Sequence, residues 1–60
     1  MKVIRLFKLE REARKAGGDR YTQMSGDGPS INETFYVDQE VSRASGKPAK
    51  ILKVTVETEE

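Results

Sequence analysis

The 60-residue chain contains no cysteine and no histidine. Without cysteine it cannot form a disulfide, and without either residue it lacks the ligands of the usual Cys/His zinc sites. The same absences exclude the Ser-His and Cys-His nucleophile systems and remove the commonest general base. The sequence therefore predicts a protein that is not an enzyme and has no catalytic residue, metal ligand or cofactor site.

Long apolar runs are absent as well. No stretch approaches the roughly 18 apolar residues of a membrane-spanning helix, and charged residues interrupt the N-terminal segment too often for a secretory signal. We expect a cytoplasmic protein with no membrane partner. Hydrophobic and charged residues each make up 35% of the chain, which is too apolar a composition for a disordered protein.

The chain is short enough to form only a single small domain, residues 1–60. A chain of this size buries only about 60% of the surface that its unfolded form exposes, so its stability margin is thin. Small domains often depend on disulfides, metals or oligomerisation. Since the first two are excluded here, a compact sheet, a homodimer or both must stabilise the fold.

The clearest structural pattern lies in residues 50–57. Polar and apolar side chains alternate there, apart from Ile51, and the apolar face carries Leu52, Val54 and Val56. A two-residue period with β-branched residues is typical of a strand with one buried face. We predict that this strand is a main component of the core.

Residues 2–9 also predict a strand, but this one is apolar on both faces. Two aliphatic residues, Ile4 and Leu6, lie on the face opposite to Val3, Phe7 and Leu9. Such a pattern is typical of a central strand or of one that is covered on its second side. A two-sheet barrel or a homodimer would provide that cover.

Residues 8–16 allow two structures. Strong helix formers and apolar residues at helical spacing allow a short helix, although no N-capping residue stands at its start. Alternatively, the first strand continues to about Arg14 and turns at residues 16–19 into a second strand at 20–24, where a Gly-Gly pair suits a tight hairpin. We favour the hairpin.

Turn residues divide the remainder of the chain. Residues 25–30 predict a mobile loop, and residues 31–41 predict a strand. Residues 42–49 contain a glycine and a proline that break any ladder, and we expect them to return the chain so that strands 33–41 and 50–57 pair antiparallel. The acidic tail, residues 57–60, is expected to fray.

Together these patterns predict a mainly β fold, a small antiparallel sheet or barrel of three to four strands, with one short helix around residues 8–16 as the alternative to the hairpin. The expected core residues are Val3, Phe7, Leu9, Phe35, Val37, Leu52, Val54 and Val56.

Two functional hypotheses follow. Bases concentrate in residues 1–20 and 43–53 and could meet on one face, where a tyrosine could stack on an unpaired base of single-stranded nucleic acid. A net charge of only +1 weighs against this hypothesis. We favour the other, a binding or assembly module that associates with itself as a homodimer or with another protein through its sheet.

The two hypotheses require different surfaces. Nucleic-acid binding needs bases and a tyrosine on one exposed face, whereas assembly needs apolar residues that are exposed in the monomer. For either one, the candidate binding residues are Arg5, Arg20, Tyr21, Tyr36, Lys50 and Lys53.

The predicted strand at residues 31–41 contains a carboxylate pair. Asp38 and Glu40 stand two apart on a predicted strand, which would hold them on the order of 7 Å apart on one face. This spacing is more typical of a solvated strand face than of a metal site or a catalytic pair.

Overall fold

The fold is mainly β and consists of one curled, antiparallel sheet in the form of a half-barrel. The computed structural model describes residues 1–26 and 28–59, so Asp27 in loop 25–30 and Glu60 in tail 57–60 lie outside the described residues. The elements in chain order are β1 (Lys2–Arg11), β2 (Gly18–Gln23), β3 (Thr34–Asp38), α1 (Gln39–Ser42) and β4 (Ile51–Glu57). The order of strands across the sheet is β3-β2-β1-β4. The prediction of a small antiparallel sheet is confirmed.

The predicted pairing of the first two strands is confirmed, with Leu9 opposite Tyr21. The predicted bounds are wrong, because β1 ends at Arg11 rather than near Arg14 and β2 already begins at Gly18, so residues 12–17 connect the strands instead of a tight turn at residues 16–19. No helix forms at residues 8–16, and the short helix of the described chain lies at Gln39–Ser42 instead. The alanines that follow Leu9 offer too little apolar surface to hold a helix, whereas the hairpin satisfies the backbone in the sheet. Gly17 turns the chain with a φ of 105°, a conformation that glycine adopts without steric cost.

The predicted strand at residues 31–41 is too long. The strand β3 ends at Asp38, and the helix α1 begins at the next residue. The helix places Ser42 above β2, where its hydroxyl donates a hydrogen bond to Asp19 Oδ2 at 2.5 Å. This contact holds α1 against a strand that lies about 20 residues earlier in the chain.

The predicted pairing of strands 33–41 and 50–57 is wrong. The strands β3 and β4 form opposite edges of the sheet, and β4 pairs with β1 from Lys2 opposite Glu57 to Lys8 opposite Ile51. Residues 43–50 carry the chain from one edge to the other across one face of the sheet. Tyr21 on β2 donates a hydrogen bond to Ala49 O at 2.6 Å, which places the crossing segment above the second strand.

The crossing segment and α1 cover the concave face of the sheet. Phe7 and Tyr21 have no solvent exposure on this face. The ring centroids of Phe7 and Phe35 lie 4.7 Å apart although β2 separates their strands, a contact that the curl of the sheet makes possible. Of the eight predicted core residues, Phe7 is buried, Val56 remains 43% exposed, and the other six are half-buried.

The convex face carries the alternate residues of the same strands, since successive side chains in a strand point to opposite faces. On β1 these include Ile4 and Leu6, which are 43% and 47% exposed. The sheet therefore covers only one of the two apolar faces of its central strand within the described chain.

Candidate functional site

An exposed apolar patch lies on the convex face of the sheet. It consists of Ile4 and Leu6 on β1, Met24 just after β2, and Ile51 on β4; the last two are 37% and 48% exposed. The backbone N–H of Met24 donates to Leu6 O at 2.9 Å, so these two residues are neighbours across adjacent segments of the sheet. We call these four residues the convex patch.

Lysines border the convex patch. Lys53 stands directly opposite Leu6 in the β1–β4 pair, and Lys8 stands opposite Ile51. Thr55 stands opposite Ile4 and is the next residue after Lys53 on the convex face of β4. The surface is thus aliphatic at its centre and basic at its rim, which suits a polypeptide partner more than a metal ion or a small polar ligand.

The strand β4 is an edge strand, and half of its backbone groups face away from β1. Leu9 N donates to Lys50 O and Thr58 N donates to Met1 O, both at 2.9 Å, so the even-numbered residues of this segment bond to β1. The N–H and C=O groups of the odd-numbered residues point outward from the sheet. They belong to Ile51, Lys53, Thr55 and Glu57, and no described strand pairs with them.

A buried polar cluster forms the second candidate site. Asp19 has no solvent exposure, and its carboxylate accepts hydrogen bonds from Arg43 Nη2 at 2.8 Å and Nε at 3.1 Å. Ala13 N donates to the same carboxylate at 2.8 Å, in addition to the Ser42 hydroxyl. We call Asp19, Ser42, Arg43 and Ala13 N the Asp19 cluster.

The Asp19 cluster joins three parts of the chain and has a structural role. The hydrogen bonds from Arg43, and then those from Ser42 and Ala13, hold the pKa of Asp19 well below its usual range. Because four donors occupy the two carboxylate oxygens, no acceptor is left for a ligand. The cluster fixes α1 and the β1–β2 turn on the concave side, so that the crossing segment can cover the core.

The sequence offered little signal for the Asp19 cluster, because the partners of Asp19 lie 6 to 24 residues away from it in the chain. The convex patch had a clearer signal. The two-sided apolar pattern of Ile4 and Leu6, and Ile51 as the exception to the alternation, both fall on this surface.

Tyr21 does not lie on a binding surface. It was a candidate for stacking on a base, but it is fully buried in the core, and burial raises the pKa of its hydroxyl. The correction follows from the crossing segment, which provides Ala49 O as the hydrogen-bond acceptor that a buried tyrosine needs. A ring in this position cannot contact a ligand without unfolding the concave side.

The other five candidate residues lie on two faces and do not form one surface. Arg5 is half-buried on the concave face, and its Nη1 donates to Ile4 O at 2.7 Å. Lys50 and Lys53 are exposed at the β4 edge. Arg20 and Tyr36 are cross-strand neighbours on the convex face at the other side of the sheet.

Arg20 and Tyr36 belong to a second, basic surface. Arg11 stands opposite Arg20, which in turn stands opposite Tyr36, a ring that is 61% exposed. An open cavity of about 520 Å³ lies beside them, lined by the β1–β2 turn. Glu10 reduces the positive charge here, because its Oε1 lies 3.1 Å from Arg20 Nε.

The carboxylate pair at Asp38 and Glu40 is not formed as expected. Asp38 ends β3 and Glu40 lies in α1, so the two residues do not share a strand face. Among residues 1–26 and 28–59, no three acidic, histidine or cysteine side chains are grouped closely enough to hold a metal ion. In the same part of the chain, no helix has the length and apolar character needed to cross a membrane.

Comparisons with protein-family models, with curated proteins and with solved structures gave no match.

Proposed function

We propose that the chain is a non-enzymatic assembly module whose sheet binds another polypeptide strand, with a second copy of the chain as the partner. The observation that carries this proposal is the open edge of β4, with four residues whose backbone groups point outward. An added strand gains affinity from main-chain hydrogen bonds and specificity from alternate side chains.

The side chains of β4 support strand addition on both faces. Ile51 on the convex face and Val56 on the concave face are 48% and 43% exposed, although each belongs to a strand of the sheet. A strand placed beside β4 would cover both. The convex patch would then extend into the added strand, so that one association event shields apolar surface on two sides.

The β3 edge is less suited to the same role. It has five residues, whereas β4 has seven, and it ends directly in α1. The side chain of Gln39 in α1 also binds the carbonyl oxygens of Lys15 and Gly17 across the end of this edge. Short edges that end in a helix are one way in which proteins prevent strand addition.

Sedimentation velocity tests the proposal. We expect a reversible increase in mass between about 10 μM and about 1 mM, since an interface of one strand pair is small. Thr55→Pro should abolish that increase, because the proline removes an N–H that points outward and is not bonded to β1.

The matched control is Tyr36→Pro, which removes an outward N–H from the β3 edge. Gln23 N donates to Glu33 O, so the odd-numbered residues of β3 face β2 and Tyr36 N faces outward. This variant should associate as the parent does. A parent that stays monomeric over the whole range, or a Thr55→Pro variant that associates normally, would show the proposal to be wrong.

A second candidate function is single-stranded nucleic-acid binding at the surface of Arg11, Arg20 and Tyr36. The observation that favours it is the row of two arginines and one exposed tyrosine across three strands. Amide NMR titration with a short oligonucleotide at two salt concentrations tests it. Salt-sensitive shifts at these three residues would support binding, since counterion release requires that dependence, and an unchanged spectrum would exclude it.

A further inference from the structure

We infer that two copies of the chain pair through their β4 strands, antiparallel and in one register, with the two-fold axis at Thr55. This inference rests on the proposed function and specifies its partner and geometry. The β4 residues would form the centre of a continuous sheet built from the two copies.

Symmetry and backbone direction set the first constraint. Two identical edges that contact each other through a two-fold axis must run antiparallel. An axis at Thr55 places Thr55 opposite itself and Lys53 opposite Glu57 of the second copy. All these residues are odd-numbered, and their N–H and C=O groups are the ones that point outward. The pairing therefore satisfies the backbone of the edge without moving the strand.

Charge complementarity selects the register. With the axis at Thr55, each Lys53 faces Glu57 of the other copy, so the dimer gains two cross-strand ion pairs. Within its own chain Glu57 already stands opposite Lys2. The carboxylate would thus lie between two lysines in a row that crosses the interface, and opposite charges that face each other across strands stabilise a pairing.

Registers shifted toward the start of β4 lose this match. An axis at Lys53 would place the two Lys53 side chains opposite each other, which is destabilising. An axis at Val54 would place Lys53 opposite Thr55 and Ile51 opposite Glu57. A lysine in an edge strand normally discourages pairing, but the position of Glu57 turns Lys53 into a residue that favours one register.

The concave side of the same pairing is apolar. Val54 would stand opposite Val56 of the second copy, and this contact would occur twice across the axis. It would cover Val56, which is 43% exposed in the single chain although it follows the apolar pattern of the core face. The concave face is therefore compatible with the register that the charges on the convex face favour.

Cysteine cross-linking tests the position of the axis, because the chain has no cysteine of its own. In Thr55→Cys the two introduced thiols would be direct cross-strand partners, with Cα atoms about 5.5 Å apart, within the range of a disulfide. The matched control is Thr34→Cys, a threonine in the other edge strand. Under mild oxidation we expect a covalent dimer from the first variant and mainly monomer from the second.

Charge reversal tests the register without any cross-link. K53E and E57K should each dimerise about tenfold more weakly than the parent, because each creates two like-charge pairs. An equimolar mixture of the two variants should associate with parental affinity, since the carboxylates of one variant would then face the lysines of the other across the interface. Sedimentation velocity at matched concentrations measures all three samples.

The outcomes separate this inference from the proposed function. A parent that dimerises, a Thr55→Cys cross-link above the Thr34→Cys level and recovery in the mixture would support the inference. A parent that dimerises without that cross-link, or without recovery, would overturn the register and leave the assembly function in place. A parent that is monomeric throughout would overturn both.

Discussion

The two faces of β1 both carry apolar side chains but differ in how much of them is exposed to solvent. Its odd-numbered residues include Phe7, which is fully buried beneath the crossing segment, whereas its even-numbered residues include Leu6, which is 47% exposed on the convex face. Neighbouring residues of one strand thus serve the core and the outer surface. The difference teaches that solvent exposure, and therefore the cost of a substitution, can change completely between neighbouring residues of one strand.

The largest effect on this comparison should come from Phe7. Phe7→Ala removes a fully buried ring that packs on Phe35, and such substitutions cost about 3–5 kcal/mol. This is comparable with the whole stability of a small domain. Leu6→Ala, one residue away, should cost less than about 1 kcal/mol because the side chain is half in solvent. Urea denaturation followed by circular dichroism measures both, and equal losses would contradict the assignment of faces.

The next effect concerns two carboxylates that each contact an arginine, one on each face. Asp19→Asn should lower the melting temperature far more than Glu10→Gln, since Asp19 is fully buried and accepts four hydrogen bonds. The side chains of the Glu10–Arg20 pair are 41% and 35% exposed, and pairs that are partly in solvent contribute less than about 1 kcal/mol. Thermal denaturation of both variants at pH 7 measures the difference, and similar melting temperatures would show that the cluster does not anchor α1.

The same carboxylate predicts a pH dependence. Because the Arg43 contacts lower the pKa of Asp19 in the folded chain, the unfolded chain takes up a proton first as the pH falls through about 4. The stabilisation is therefore present at neutral pH and decreases in acid. The gap in melting temperature between the parent and Asp19→Asn should narrow from pH 7 to pH 3, and a constant gap would contradict this origin.

The smallest difference in stability is expected between substitutions of two tyrosines. Tyr21→Phe removes the hydroxyl that holds Ala49 O, so it should cost about 1 kcal/mol, the usual contribution of one hydrogen bond. Tyr36→Phe on the convex face should leave stability unchanged within about 0.5 kcal/mol. Chemical denaturation with a shared slope resolves a difference of this size. If both variants match the parent, the crossing segment does not depend on Tyr21.

Local patterns were sufficient for the fold class and for the first hairpin. The alternation in residues 50–57 and the two-sided pattern of residues 2–9 predicted strands that the fold contains, and Gly17 lies at the end of the connection between β1 and β2. These features depend on near neighbours in the chain. They can therefore be predicted without knowledge of the tertiary contacts.

Long-range contacts determined the parts that could not be predicted. The helix α1 depends on the contacts of Ser42 and Arg43 with Asp19, more than 20 residues earlier. Tyr21 stands between Arg20 and Thr22, so it has the pattern of an amphipathic strand, and its burial depends on the segment that crosses above it. The pairing of strands 33–41 and 50–57 was predicted wrongly for the same reason, since the composition of residues 43–50 fits a tight return as well as a crossing.

The pairing of β1 with β4 also has a consequence for how the chain folds. Lys2 pairs with Glu57, so the interior strand β1, which is formed by the first residues, gains its second neighbour only when the last strand, β4, pairs with it. Contacts between such distant residues make folding slow, on the order of milliseconds to seconds for small β domains. Until β4 pairs with it, β1 is an open edge strand with aliphatic side chains on both faces. Aggregation should therefore compete with refolding at this stage. Stopped-flow refolding yields that do not change with protein concentration would contradict this. A strand that is interior in the native sheet is thus an exposed edge during folding.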